Sequence, residues 1–325
     1  MTSDTTLVTG AGGFIGSHLT EHLVHQGHRV RAFIHYNSAG RRGWLHESPC
    51  EPDIEFVSGD IRDFDAVHRA TADCSRVFHL AALVGIPYSY VSPQAYLRTN
   101  IDGAYNVLES ARIRRLTKVV LTSTSEVYGT AQRCPMDESH PVNCQSPYAA
   151  SKAGADQLAI SYHRSFGVPV TIVRPFNTYG PRQSTRALIP TAIAQVLSQK
   201  TTIELGNLYP ERDFTFVDDV VRGFEAAAAG NFEGEAVHIG TGTAIAVSEL
   251  AKLVAQLMGK EVSIVQQPKR SRPAASEVDR LICDSTRLRS RTNWLPSVAL
   301  EDGLKRTIAW MEANPLEYRG QEYGV

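Results

Sequence analysis

Long apolar runs are missing from this chain, which removes a membrane-spanning helix of about 20 apolar residues. An excess of one charge is missing too. Lys and Arg total 33 against 34 Asp and Glu, a formal net charge of −1. Nothing in that balance draws the chain to nucleic acid or to an anionic membrane. Cysteine is scarce and unpatterned, with Cys50, Cys74, Cys134, Cys144 and Cys283 scattered and no CxxC pair. This argues against a disulfide framework or a zinc site, leaves no metal site to expect, and suits reduced thiols in a cytosol. The opening residues run straight into an apolar strand, without the basic segment and apolar core of a signal peptide, so a cytoplasmic location is expected. Internal repeats and low-complexity tracts are absent as well.

What is present is an ordinary globular composition, 42% hydrophobic and 21% charged over 325 residues, enough for one large domain or two modest ones. Short apolar runs at 7–9, 30–34, 54–57, 77–80, 119–122 and 170–173 read as buried parallel strands. Helical patterns at 15–25, 96–114 and 148–166 alternate with them. Such alternation predicts an α/β fold, a Rossmann-type doubly wound parallel sheet with right-handed crossovers. Prolines and glycines loosen the pattern after Arg174, and a helix is expected near 191–198. The runs 214–217 and 236–239 read as the chain returning to the sheet. Segments 247–258, 262–265 and 300–314 would build a smaller lobe, and 316–325 a loosely held tail. The expected division is a dinucleotide domain at 1–175, rejoined at about 213–242. A mixed α/β substrate lobe would comprise 176–212 and 243–325.

Gly10-Ala11-Gly12-Gly13-Phe14-Ile15-Gly16 follows the first strand and opens the first helix. Glycines there permit a tight turn and aim a helix N-terminus at a pyrophosphate. The spacing is GxxGxxG, so a purely structural turn stays open as an alternative. From Arg29 to His46 no Asp or Glu is available for a ribose 2′-hydroxyl. The strand end reads Ile34-His35-Tyr36-Asn37-Ser38, followed by Arg41-Arg42. This leans slightly toward a 2′-phosphate and NADP, although an arginine pair also suits a solvated loop. Asp60 is a candidate acceptor for adenine, or else the cap of the next helix.

Tyr148 and Lys152 lie four residues apart, which places both on one helix face. A phenol titrates near about 10, and a neighbouring cation favours the phenolate. Moving that pKa about three units takes roughly 4 kcal/mol, a task for Lys152 together with a cationic cofactor ring. Alone, the pair would be surface decoration.

It is not alone. Thr9 to Gly16, His79-Leu80-Ala81-Ala82, Thr124-Ser125-Glu126-Val127-Tyr128-Gly129 and Tyr148-xxx-Lys152 together resemble the extended short-chain dehydrogenase/reductases. Within these the chain is similar to the NAD(P)-dependent nucleotide-sugar epimerases, dehydratases and decarboxylases. Arg174 to Arg182, Arg212-Asp213-Phe214 and Arg272-Pro273 carry the likeness into the second lobe. The resemblance implies that Gly10, Gly13, Phe14, Ile15, Gly16, His35, Asn37, Asp60, Ile61, Leu80, Ala81, Ala82 and Asn100 hold NAD(P) beside Tyr148 and Lys152. It implies that Tyr148 takes the proton of a sugar 4-hydroxyl, that Lys152 grips the cofactor ribose and lowers the Tyr148 pKa, and that Thr124 bonds the same sugar oxygen. Pro87, Tyr88, Asn177, Arg182, Arg212 and Arg272 would hold a UDP-, GDP- or dTDP-hexose, although ordinary surface ion pairs remain an alternative for the arginines. A homodimer through the helices at 96–114 and 148–166 is also implied.

Glu126 narrows the reaction. Beside a C4 ketone the C5 proton is acidic, and a carboxylate there leads to loss of the C6 hydroxyl as water. Ser125 stands where dTDP-glucose 4,6-dehydratases carry an Asp, so the general acid is open, with Ser125 and Glu126 both in the catalytic set. The expected activity is a nucleotide-sugar 4,6-dehydratase. A uronate decarboxylase or 4-epimerase with the same first step is the alternative, and a cofactor-binding regulator a remote one.

Overall fold

Short aliphatic runs separated by amphipathic helices set the order of the first half. Strand β1 (Thr5–Thr9) leads into α1 (Phe14–His25), then β2 (Arg29–His35), β3 (Ile54–Gly59), α2 (Phe64–Ala70) and β4 (Cys74–His79). Two short helices, α3 (Ile86–Val91) and α4 (Pro93–Tyr96), precede a π-helical stretch at Leu97–Asp102 and α5 (Gly103–Arg114). Next come β5 (Lys118–Thr122), α6 (Pro147–Phe166), β6 (Val170–Pro175), β7 (Asn177–Tyr179), α7 (Leu188–Leu197), β8 (Thr202–Leu205) and β9 (Glu211–Phe216). The remainder is α8 (Val217–Ala229), β10 (Ala236–Ile239), β11 (Ala244–Ala246), α9 (Val247–Leu257), β12 (Ser263–Gln266), β13 (Arg280–Leu281), α10 (Thr286–Arg291) and α11 (Leu300–Ala313). This computed structural model describes residues 5–270 and 272–315. The tail expected at 316–325 lies outside the described residues.

Seven parallel strands form the main sheet in the order β10-β6-β5-β4-β1-β2-β3. Adjacent residues on each strand serve opposite faces. Val8, Phe78, Val120 and Val173 join α1 and α8 in one core, whereas Leu7, Val77, Val119 and Ile172 join α2, α5 and α6 in the other. Period-two alternation with both faces buried is what a doubly wound sheet demands. The strand order reverses beside β1, and the crevice outside the carboxyl ends at that point is where ligands bind in such sheets.

Two expectations need correction. Residues 214–217 do not return to the main sheet, because β9 pairs with β7, β11 and β13 in a second, small sheet and Val217 already begins α8. The chain rejoins the main layer through α8 and β10. The helix expected at 96–114 is interrupted by the π-helical stretch, within which Asn100 turns inward. A wider turn of this kind re-aims one side chain out of helical register.

Candidate active site

The first turn starts from glycine geometry. Gly10 has φ +70°, and a Cβ there would lie 2.7 Å from the Ala81 backbone nitrogen. At Gly16 a Cβ would meet the Gly10 carbonyl at 2.1 Å, so the loop closes only with bare Cα atoms at both places. Gly13 donates its N–H to the Gly10 carbonyl at 3.0 Å and stands as the N-cap of α1. The result is a backbone cradle before a helix N-terminus, the arrangement that accepts a pyrophosphate.

That cradle is one end of a cleft of about 1150 Å³ at the carboxyl ends of the parallel strands. Gly10, Gly13, Phe14, Ile15, Gly16, His35, Asn37, Asp60, Ile61, Leu80, Ala81 and Ala82 all line it. Thr124, Glu126, Tyr148, Lys152, Pro87, Asn177, Arg212 and Arg272 line it as well. Tertiary structure therefore gathers most of the residues singled out along 260 residues of chain into one crevice.

Local structure explains how the reactive side chains are aimed. Ser146 caps α6 by accepting the Ala149 N–H at 3.1 Å, and Pro147 takes the first helical position, where its missing N–H costs nothing. This start presents Tyr148 on the first turn and Lys152 on the next. Thr124 is extended and accepts the Glu126 N–H at 3.2 Å, which launches a single 3₁₀ turn over Ser125–Tyr128. The Thr124 hydroxyl also acts on the Tyr148 phenol, favouring its ionised form. Tyr96 packs edge-on to Tyr148 at 6.1 Å, and its hydroxyl donates to the Gly85 carbonyl at 2.6 Å, fastening the 83–87 loop.

Electrostatics differ from expectation at the central pair. Burial pushes the Tyr148 phenol well up, the Thr124 hydroxyl opposes this, and Glu126, Tyr96 and Asp156 raise it further. Lys152 is drawn down to about 8 by burial, with Asp156 pulling the other way. In the protein alone desolvation dominates and the phenol stays protonated. The shift expected from the sequence rests on Lys152 together with a cationic cofactor ring, and the protein by itself does not supply it.

Several expected site residues do other work. Ser125 is buried and does not line the cleft, because the 3₁₀ turn aims Thr124 and Glu126 outward and Ser125 into the protein. Asn100 is buried behind the cleft, accepting the Leu83 N–H at 2.8 Å and donating to Ser151 Oγ at 2.9 Å. It pins a cleft loop to α6 rather than lining the site. Arg182 turns back to Glu21, with contacts of 2.9 and 3.0 Å, and donates to Ser17 Oγ at 3.1 Å. Tyr88 packs near Tyr96, at 6.2 Å, outside the cleft lining. Asp60 lines the cleft but is clasped by the Arg62 guanidinium, whose hydrogen bonds bring its carboxyl down to about 2. The cap of α2 is Asp63 instead. Of the arginine pair, Arg41 lines the cleft, while Arg42 is paired with Glu51 and lies over the Phe56 ring.

The structure also adds residues that the sequence did not single out. Arg186 and Asn207 line the cleft, as does Glu277, whose carboxylate accepts from Arg212 at 3.2 Å and from Asn207 at 2.7 Å. Arg272 stands between two carboxylates, 3.6 Å from Glu126 and 3.8 Å from Glu277. No spacing rule marks Glu277, since Asn207 follows β8, Arg212 lies on β9 and only Arg272 shares its own loop. Among the described residues there is no group of three or more metal-ligating side chains, and no helix long and apolar enough to cross a membrane.

Residues 7–307 match the family described as GDP-mannose 4,6 dehydratase. The chain belongs to that family. It is similar to a UDP-glucose 4-epimerase of Mycolicibacterium smegmatis, 34% identical over 93% of this chain and 97% of the relative. A dTDP-glucose 4,6-dehydratase of Streptomyces griseus is also 34% identical, over 94% and 93% of the two chains. Among solved structures it resembles DesIV, a dTDP-glucose 4,6-dehydratase of Streptomyces venezuelae with NAD and TYD bound, at TM-score 0.88 and 32% identity, covering 98% and 100%. The matched span of this dehydratase and epimerase family takes in both the glycine cradle and the arginines of the second lobe.

Proposed function

We propose that the protein is a nucleotide-diphosphate-sugar 4,6-dehydratase working with a tightly held nicotinamide dinucleotide. The observation that carries this reading is the Glu126 carboxylate on the cleft wall beside Thr124 and Tyr148, with Arg272 at 3.6 Å. The cleft exceeds the 300–1,000 Å³ usual for one drug-sized ligand, which suits a cofactor and a sugar nucleotide side by side. Gly10, Gly13 and Gly16 fit the pyrophosphate, because a Cβ at Gly10 or Gly16 would collide with the backbone that shapes the cradle. Lys152 would reach the ribose next to the nicotinamide, and Asp60 and Ile61 the adenine. His35, Asn37 and Arg41 surround the outer ribose position without an added carboxylate, which supports a lean to NADP. DesIV was solved with NAD, which weighs the other way.

A bound nicotinamide would supply the hydride acceptor for C4 and the hydride donor for C6. Tyr148 takes the 4-hydroxyl proton, with Thr124 holding the same oxygen. Glu126 removes the C5 proton, made acidic by the adjacent ketone, and delivers it to the departing C6 hydroxyl, so water leaves. As C6 is reduced, C5 regains a proton, which balances the one Tyr148 took from the 4-hydroxyl. With Ser125 facing inward, this carboxyl serves as both base and acid. Arg212 and Arg272 supply charge-assisted contacts for the diphosphate, and Asn177 a neutral one.

A second reading keeps the C4 oxidation and ends in decarboxylation or epimerisation, and the equal identity to an epimerase favours retaining it. Mass analysis after incubation with a panel of nucleotide hexoses and uronates separates the outcomes. Loss of water supports the dehydratase, loss of carbon dioxide or an unchanged mass with a new epimer supports the alternatives, and no change in any substrate defeats both. A homodimer is proposed through α5 and α6, whose neighbourhood exposes Leu97, Tyr105, Ile113 and Phe166. Light scattering of the purified protein tests this, and a monomeric mass would reject it.

A further inference from the structure

Behind the reactive pair lies a buried cluster that none of the steps above uses. Asp156 is one helical turn beyond Lys152 on α6 and is fully buried. Its Oδ2 accepts from Ser123 Oγ at 2.8 Å, from Arg174 Nε at 3.0 Å and from Arg174 Nη2 at 2.8 Å. Its Oδ1 is buried with no hydrogen-bond partner. Arg174, on β6, spends its other arm on the Tyr128 hydroxyl at 2.6 Å, and that hydroxyl meets His238 Nε2 at 2.6 Å. Lys152 itself makes no hydrogen bond or ion pair among the described residues.

We propose that Asp156 is a positioning residue that holds Lys152 in its ammonium form through space, with Arg174 setting how much of the carboxylate charge reaches it. The proposal rests on the reading that Lys152 serves the cleft as a cation.

The geometry favours field over contact. A carboxylate bonded directly to Lys152 would occupy its donors and draw it off the cleft. Asp156 instead has one oxygen saturated by Arg174 and Ser123, and the other bare within the low-dielectric interior. It therefore offers Lys152 potential while leaving all three ammonium hydrogens for a ligand. The same three bonds join β5, α6 and β6, so the cluster also fixes Ser123, next to Thr124, against the helix that carries Tyr148. Of the other titratable or charged groups in this region, His79 from β4 feels the Lys152 charge, and Arg174 on β6 is bonded to Asp156. Tyr148 stands on the same helix, with Glu126 after β5 and Tyr96 on α4 acting on its phenol. His79 is buried and bonded to Thr9 at 2.8 Å, and burial holds it neutral, its pKa down to about 3. Asp156 is thus the one carboxylate on the helix that faces the ammonium from behind. Burial alone works against the charged form of Lys152, and Asp156 is the group that opposes it.

The test is the pH dependence of Lys152 acylation by acetic anhydride, followed by mass spectrometry of its peptide in the full chain after any retained dinucleotide is removed. This reads the lysine directly and does not depend on which sugar the enzyme takes. Asp156→Asn should move the labelling midpoint down by about one to two pH units, from a unit charge about 5–6 Å away. Labelling near neutral pH should then rise about tenfold or more. Arg174→Gln should move the midpoint up, since Asp156 then acts on Lys152 undiluted, and Asp156→Glu should restore a midpoint close to the parent. Circular dichroism checks each fold. If Asp156→Asn does not fold, the Asp156→Asn/Arg174→Gln pair, neutral like the original cluster, should still label with a midpoint below the parent. A merely structural cluster would give no shift, or shifts of one sign in both single variants, and either result overturns the proposal. If the midpoints move as expected but no nucleotide sugar reacts, the assigned reaction fails and the role of Asp156 stands.

Discussion

Replacing Glu126 by Gln removes one proton acceptor and changes little else in shape. Its side chain is largely buried, 12% exposed, and stands 3.6 Å from Arg272 Nη1. At an effective dielectric near 20, that separation corresponds to a gross attraction of about 4 to 5 kcal/mol, much of it offset by desolvation of both ions. Two consequences follow with opposite signs. Arg272, now shared only with Glu277 at 3.8 Å, is freer to meet a diphosphate, so nucleotide binding should tighten, by up to about tenfold. Proton transfer at C5 loses its base, which should slow elimination by about 10²- to 10⁴-fold, or roughly 3 to 5 kcal/mol in barrier. The assay combines nucleotide titration, near-ultraviolet absorbance for cofactor reduction and mass for product. The expected pattern is tighter nucleotide binding, a cofactor that becomes reduced and stays so, and little dehydrated sugar. Dehydrated product formed at the parental rate would refute the role given to Glu126. Loss of cofactor reduction as well would show that the carboxylate is needed before elimination.

Gly16→Ala places a Cβ 2.1 Å from the Gly10 carbonyl, so the purified variant should lose retained dinucleotide, measured by denaturing release, and retention at parental stoichiometry would contradict the cradle. Lys152 is buried as a cation whose pKa falls from 10.5 to about 8, first through burial and against the pull of Asp156. A lowered lysine pKa means that the unfolded chain binds more protons between about pH 8 and 10.5, so this group's contribution to stability rises over that window. Compared with Lys152→Met, the parent should gain about 3 kcal/mol across it by denaturant titration, whereas parallel pH curves would refute the assignment. Asp219 is fully buried and accepts from Ser297 N and Val298 N at 3.0 Å, from Ser297 Oγ at 3.1 Å and from Arg222. Asp219→Asn turns a donor toward donors and should cost about 2–4 kcal/mol, a fall in Tm of about 5 to 10 °C by calorimetry. Turnover at low temperature should be retained, and an unchanged Tm would count against this anchor.

Much of the site was legible because it is local. The i, i+4 spacing of Tyr148 and Lys152 and the glycine pattern before α1 each follow from one stretch of chain and one backbone geometry. Aliphatic runs marked all seven of the main strands, 236–239 included, for the same reason, since a strand buried on both faces needs apolar side chains on both. What failed depended on partners elsewhere. Arg182 looks from sequence like a phosphate ligand, yet Glu21 on α1 claims it. Phe214 belongs to a strand, but its neighbours β7, β11 and β13 lie outside the main sheet.

The sequence by itself determined the doubly wound parallel layer, the glycine turn and the presence of a Thr124, Glu126, Tyr148 and Lys152 set, because periodicity and short spacings are properties of the backbone. Only the tertiary structure decided which of those groups face one cleft. It turned Ser125 inward and Glu126 outward, stationed Arg272 between Glu126 and Glu277, and placed Asp156 behind Lys152. It also showed that burial, reinforced by Glu126, Tyr96 and Asp156, holds the Tyr148 phenol well up. Charge, exposure and desolvation depend on what surrounds a group in three dimensions, and residues far apart in sequence supply those surroundings.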